Sequence, residues 1–259
     1  MYISKILVQT IIKIPVWRIL KIDIDTCIET TVSLKMSLSS CYNEDNTYEI
    51  GIDEAGRGPL FGRLYVGAAV LPKGTEFHHH WMKDSKKFHS KKKIHEVSDY
   101  IKEHAISWSI QYIEADVIDH INIRQAVHRG MHNAVRDIFT KSEITPNETF
   151  LLVDGNDFRP YTIFNEDIEE LIAVPHETVI GGDNKYTSIA AASILAKVAR
   201  DDYIHDLCIE HPELDEKYHL SNNQGYGTKH HLNGILEHGI TQWHRKTYGR
   251  CKEAELHMI

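Results

Sequence analysis

Long apolar runs, paired cysteines and an excess of positive charge are all missing from this sequence, and each absence removes a class of function. No window approaches the roughly 18–20 uninterrupted apolar residues of a membrane-spanning helix. The most apolar early stretch, residues 11–20, is broken by Lys13 and Arg18. That stretch also lacks a clean apolar run followed by small residues, so it is a poor secretory signal, and no membrane partner is expected. The four cysteines, Cys27, Cys41, Cys208 and Cys251, are far apart and form no CxxC or Cys/His zinc spacing. A reducing, intracellular and cytoplasmic setting is the simplest expectation. The formal net charge of −8 argues against a protein that holds polyanions by its bulk charge.

What is present is an ordinary globular composition, 259 residues with 42% hydrophobic and 25% charged, enough for one main domain. The charge is unevenly spread. Between Lys83 and Lys93 stand six lysines (Lys83, Lys86, Lys87, Lys91, Lys92, Lys93) against the single acid Asp84. This segment is either a solvated loop and helix start or a local stripe for phosphates. A protein that gathers acids around metal ions is acidic overall even where such a stripe meets a polyanion.

Residues 1–47 differ from the rest, alternating short apolar runs with Thr and Ser and ending in the polar turn Tyr42-Asn43-Glu44-Asp45-Asn46. They read as an N-terminal extension, as an extra hairpin, or as a mis-called start upstream of Met36. From Tyr48 onward, residues 48–52, 64–71, 107–113 and 149–153 are β-prone, and 91–104 and 123–139 carry helical patterns. Residues 188–203 form the clearest helix, apolar or Ala nearly all round and therefore buried, with Ser188 as its N-cap. Residues 207–259 read as a helical tail broken at Pro212 and at Gly225-Tyr226-Gly227. The expected class is α/β, a mixed sheet with helices on its faces.

Four acids stand out by position. In Gly51-Ile52-Asp53-Glu54-Ala55-Gly56-Arg57-Gly58-Pro59 an apolar strand runs into two adjacent carboxylates and a Gly-Arg-Gly turn. Neighbours on a regular strand point to opposite faces, so both acids serve one site only where the strand ends or bulges. Alone, the pair is also readable as a solvated acidic turn. Gly56 and Gly58 permit close backbone approach to a ligand, with Arg57 between them as a phosphate or hydroxyl reader. Asp154 ends the apolar Leu151-Leu152-Val153, as a metal ligand or as a turn cap. Asp183 precedes the buried helix, as a ligand or as a partner of the helix dipole. Taken together, and with no Cys or His set, they form an all-oxygen environment suited to Mg²⁺ or Mn²⁺. Such sites do phosphoryl chemistry, often with two ions roughly 3.5–4 Å apart.

The strings GIDEAGRGPLFG (51–62), DSKK (84–87), LLVDGN (151–156), GGDNKYTSIAAASILAKVARD (181–201) and GYGTKHH (225–231) resemble the successive motifs of ribonuclease HII, in that family's order. The resemblance implies a ribonuclease H-like core over 48–204, with a mixed sheet of about five strands flanked by helices, and a helical C-terminal region over 205–259 that completes the substrate site. It places Asp53, Glu54, Asp154 and Asp183 on the family's four catalytic, metal-binding acids. Gly56, Arg57 and Gly58 fall on the segment that reads the ribose 2′-hydroxyl, and Tyr226 on the tyrosine beside the adjoining deoxyribose. The 2′-hydroxyl is the group that separates RNA from DNA, so a glycine-flanked turn reading it is physically reasonable. Lys86 and Lys87 are the expected phosphate contacts.

By the same resemblance the chain is a type 2 ribonuclease H acting as a monomer. It would cut RNA/DNA hybrid duplexes, and DNA with embedded ribonucleotides on their 5′ side, leaving 3′-hydroxyl and 5′-phosphate ends, with Mn²⁺ or Mg²⁺. A ribonuclease HIII-like enzyme and a non-cleaving nucleic-acid-binding module are the alternatives. Departures from the family pattern are Gly181-Gly182-Asp183 in place of Lys-Gly-Asp, so that any phosphate contact of that lysine is absent or moved to Lys185, the ending Lys-Thr-Tyr after His244-Arg245, and a long span at 157–178. Ser193, Lys197 and Asp201 share a helix face, as a polar stripe toward the site or as an ordinary Lys-Asp pair. His78-His79-His80 reads as a solvated loop. Residues 252–259 hold no clear clamp-binding peptide.

Overall fold

The computed structural model describes residues 38–259 apart from residue 167. The expectations for residues 1–37, including the extra hairpin and the start at Met36, lie outside the described residues, as does Cys27.

An apolar run, β2 (Leu64–Val70), and β1 (Tyr48–Ala55), whose acids flank the apolar Ile50-Gly51-Ile52, pair antiparallel at the centre of the sheet. A strand buried on both faces needs such a run, and every residue of β2 is buried. β3 (Ser107–Ile113) adds antiparallel to β2, and β4 (Thr149–Asp154) adds parallel to β1. A separate hairpin of β5 (Thr162–Asn165) and β6 (Glu170–Ala173) follows, and β7 (His176–Val179) closes the sheet parallel to β4. The five-stranded order is β3-β2-β1-β4-β7.

α1 (Lys91–His104) and α4 (Thr187–Glu210) cover one face of this sheet, and α2 (Ala115–Ile121) and α3 (Ile123–Lys141) the other. α4 lies unusually close. A Cβ on Gly51 would fall 2.2 Å from the Ser188 carbonyl carbon, and one on Gly67 2.2 Å from Ala192 O, so both positions exclude any side chain. α5 (Pro212–Tyr218), α6 (Leu220–Asn223) and α7 (Lys229–His238) pack with the end of α4 around Phe61, Leu214, Tyr218 and Ile235. The breaks expected at Pro212 and at Gly225-Tyr226-Gly227 are where α5 starts and where the chain between α6 and α7 loops.

Three details differ from the sequence reading. β1 runs to Ala55 rather than to Ile52, so the acid pair lies within the strand instead of beyond it. α4 begins at Thr187 with Tyr186 at the N-cap, not at Ser188. The start is held by backbone instead, for Thr187 N donates to Ser39 O (2.9 Å) and Ser39 N to Lys185 O (2.8 Å). Accordingly the compact unit starts at Leu38 rather than at 48. The 157–178 span contains β5, β6 and part of β7, four-residue strands with largely exposed side chains that carry no periodic apolar signal. Cys41, Cys208 and Cys251 are unpaired, and no described helix is long and apolar enough to cross a membrane.

Candidate active site

Parallel pairing puts the first two acids side by side. Ile52 on β1 registers with Val153 on β4, so the next residue of each strand, Asp53 and Asp154, emerge together at one edge of the sheet. Pairing of β1 with β4 stops there, while β2 stays paired with β1 through Ala55. This one-sided end lets Glu54 as well as Asp53 reach the same opening although the strand is continuous. Asp154 Oδ1 accepts from Gly182 N (2.7 Å), which ties β4 to the short 3₁₀ turn carrying Asp183. Asn184 Nδ2 in turn donates to Asp183 Oδ1 (2.9 Å). All four carboxylates line one open cleft of about 600 Å³.

The Gly-Arg-Gly turn and Tyr226 line that cleft too. Gly56 has φ +92°, and a Cβ there would meet Arg200 Nε at 2.2 Å, so glycine is needed both for the backbone and for the close guanidinium. Two buried arginines hold the turn from behind. Arg245 donates to the carbonyl oxygens of Gly56 (2.6 Å), Arg57 (3.1 Å) and Gly62 (3.0 Å), and Arg200 to those of Phe61 (3.3 Å) and Gln224 (2.8 Å). Burial pulls Arg245 down to about 10 and lowers Arg200 as well. Leu60 N bonds Gly225 O (2.8 Å), and a Cβ on Gly58 would sit 3.6 Å from the Tyr226 ring, so the two glycine loops face each other. Tyr226 is half exposed.

The acids strain against one another. Burial pushes the Asp53 carboxyl well above its ordinary range, and Glu54 and Asp154 push it further, against weaker pulls from a Ser193 hydrogen bond and the Glu54 amide. Glu54 is raised by burial despite its contact with Arg57 (3.3 Å), and Asp183 by burial, Asp84 and Asp154. Among the described residues no cationic side chain bonds to Asp53. A hard dication would supply that missing charge, and an oxygen-only donor set suits Mg²⁺ or Mn²⁺. Among the described residues no three His, Cys, Asp or Glu groups converge closely enough to cage an ion. An open arrangement fits Mg²⁺, which keeps waters and substrate phosphate oxygens among its ligands.

A family profile described as Ribonuclease HII matches residues 50–251. A ribonuclease HII from Parabacteroides distasonis is 42% identical over 207 residues, covering 80% of this chain and 92% of that one. The chain belongs to the ribonuclease HII family. It is thereby an enzyme, a type 2 ribonuclease H acting on RNA/DNA hybrids. The fold agrees with the crystal structure of ribonuclease H2 from Pyrococcus horikoshii OT3, at a TM-score of 0.62 and 21% identity, covering 80% of this chain and 96% of that one. A Bst-RNase HIII crystallised with Mn²⁺ is also similar, at a TM-score of 0.52 and 16% identity, covering 74% of this chain and 70% of that one.

Within this ribonuclease HII chain the cleft gathers Asp53, Glu54, Asp154, Asp183, Gly56, Arg57, Gly58, Tyr226 and Lys86. Lys87 and Lys185 are not part of the wall, and the Lys87 ammonium bonds Asn184 Oδ1, beside Asp183. Ser193, Lys197 and Asp201 satisfy both of their readings, lining the cleft while Lys197 pairs with Asp201 at 2.7 Å. His78 and His80 are exposed, but His79 bonds Thr187 through Nδ1 (2.9 Å). Sequence reasoning missed Arg200, Ser85 and the Asn222-Asn223-Gln224 wall. A lone arginine inside the most apolar helix was the available signal for Arg200, because such a residue is buried only with partners.

Proposed function

We propose that this ribonuclease HII nicks duplex DNA on the 5′ side of embedded ribonucleotides as well as cutting longer hybrids, leaving 3′-hydroxyl and 5′-phosphate ends, by a divalent-metal mechanism. One observation carries the reading: a single cleft combines four carboxylates, a glycine turn fixed by a buried guanidinium, and a facing tyrosine. Asp53 and Asp154, adjacent across β1 and β4, would share the metal, with Glu54 and Asp183 completing its shell. Bound Mg²⁺ or Mn²⁺ would supply an activated water and charge neutralisation at the scissile phosphate. Arg245 occupies the carbonyls of Gly56 and Arg57, which holds the turn in one conformation toward a ribose 2′-hydroxyl. Tyr226, opposite Gly58, would crowd a second hydroxyl and so favour deoxyribose on its side. Lys86 on the cleft wall meets a flanking phosphate as a point charge. The proposal extends to a monomer working in a reducing compartment, the latter in keeping with Cys41, Cys208 and Cys251, which are unpaired among the described residues.

The test is cleavage of a DNA duplex containing one ribonucleotide, with Mg²⁺, Mn²⁺ or EDTA, by the wild type and by Asp154→Asn. A nick appears only with metal, and the variant loses at least about 100-fold in rate. Undiminished cutting by Asp154→Asn removes Asp154 from the mechanism. Metal-dependent binding without any cut would favour the non-cleaving module.

A further inference from the structure

Away from the cleft, one concavity is walled by three arginines, two histidines and two amides. It has a volume of about 320 Å³ and is formed by one face of α3, with Arg129, His128, His132 and Arg136, together with Arg159 from the segment after β4. No carboxylate lines it, and the nearest one to its wall, Asp157, stands 3.5 Å from His128 Nε2. Among the described residues the guanidiniums of Arg129 and Arg159 have no hydrogen-bond or ion-pair partner, and Arg136 reaches only Asn133 Oδ1 at 3.5 Å. The neighbouring Arg124 shows what a satisfied arginine looks like here, for it grips Asp157 through two bonds of 2.6 and 2.8 Å.

In a chain with 37 acids against 29 Lys and Arg, three guanidiniums around one hollow, none of them paired with a carboxylate among the described residues, form a local exception. Like charges held close repel, and the arrangement becomes favourable when an anion fills the hollow. Guanidinium forks match phosphate oxygens. The hollow is also built, not only exposed. His132 Nε2 donates to Arg159 O (2.7 Å), which fixes the Arg159 backbone against α3.

The hollow is near the active cleft along the chain and in space. Arg159 follows Asp154 by five positions, so their Cα atoms are at most about 18 Å apart, the rise of roughly five base steps. Between them lies Asp157, held low by its hydrogen bond with Arg124 and further by the charges of His128 and of Arg57, which lines the cleft.

We infer that the Arg129, Arg136 and Arg159 surface binds the phosphodiester backbone of the substrate duplex a few base pairs beyond the cleft. The inference rests on the reading that the cleft itself takes duplex nucleic acid. Its role is to extend the footprint, so long duplexes gain from it and short ones do not.

The experiment measures binding in EDTA by fluorescence anisotropy, where nothing is cut, for the wild type and for the triple variant Arg129→Gln, Arg136→Gln, Arg159→Gln. All three side chains are exposed and without acidic partners, so the variant folds, which thermal unfolding verifies. Two probes carry a single ribonucleotide, one in a duplex of about 24 base pairs and one in a hairpin-closed duplex of about six, which ends before the hollow. Three phosphate contacts contribute roughly 2.7 to the slope of log K against log salt, so between about 50 and 200 mM salt the wild type loses roughly 40-fold more affinity for the long probe than the variant does. The short probe gives equal slopes for both proteins. Equal slopes on the long probe overturn the inference and leave the hollow to another anion. An equal reduction on both probes overturns it too, because the arginines would then act on the cleft. An enzyme that fails to cut while these slopes differ sinks the proposed function alone; one that cuts with unchanged slopes sinks only this surface.

Discussion

His244 and His231 are buried together without a counter-charge, and their surroundings admit one arrangement of protons. His244 Nδ1 accepts from Thr241 N (2.9 Å), so its proton is on Nε2 and is donated to His231 Nε2 (3.1 Å). His231 then donates from Nδ1 to Tyr226 O (3.0 Å), which fixes the loop bearing the candidate deoxyribose contact. Both rings are neutral. Burial lowers His231, and burial together with its neighbour His231 drives His244 well below 6.5. In the unfolded chain each imidazole takes a proton near 6.5, which the folded pair resists. The folded state therefore binds fewer protons below that value, and the pair's contribution is present above it and is lost as pH falls. The unfolding midpoint is expected to drop between about pH 7 and 5.5, with a slope of up to roughly 1.4 kcal/mol per pH unit for each proton withheld. His244→Asn keeps an acceptor near Thr241 but cannot titrate, so its profile is flatter over this range. A variant profile as steep as the wild type's would locate the acid sensitivity elsewhere.

At the scale of elements, the approach of α4 to the sheet decides where the acids meet. Asp183 stands just before α4, Ser193 and Lys197 lie on it, and Asp53 lies on β1, with Gly51 and Gly67 allowing the closest approach of helix and sheet. Gly67→Ala would put a methyl 2.2 Å from Ala192 O and 3.0 Å from its carbonyl carbon, both backbone atoms that no rotamer change can move. The expected loss is about 1–3 kcal/mol in chemical denaturation, with reduced cleavage as α4 shifts from Asp53. An unchanged midpoint would mean the helix has room to spare. Much of this was legible beforehand. The buried strands and α4 follow from unbroken apolar runs, and Asp154 from its place at the end of one. The glycines facing α4 were not, since a close approach is a relation between segments more than a hundred residues apart. Arg245 was noted only as part of a sequence element for the same reason, its three carbonyl partners being nearly two hundred residues upstream. β5, β6 and β7 were missed because exposed four-residue strands have no periodicity to detect, and the end of β1 was misplaced because pairing with β2 carries the strand through the acids to Ala55.

Over the whole molecule, folding concentrates negative charge in a chain that already carries a net −8. Asp53 is forced under the surface beside Glu54 and Asp154, an arrangement that works against stability until a cation arrives. Active sites built this way are less stable than their neutralised variants, so in EDTA Asp53→Asn is expected to unfold later than the wild type, by roughly 0.5–2 kcal/mol. Metal reverses the order. An ion that binds the folded wild type alone adds RT ln(1 + [L]/Kd), about 2.7 kcal/mol at a hundredfold excess over Kd, whereas the asparagine variant has lost a charge from the donor set. Thermal unfolding of both proteins, in EDTA and then across a Mn²⁺ or Mg²⁺ titration, reads this crossover without any substrate. Metal that shifts both midpoints equally, or neither, would show that Asp53 does not hold the ion, whatever the cleavage assay reports.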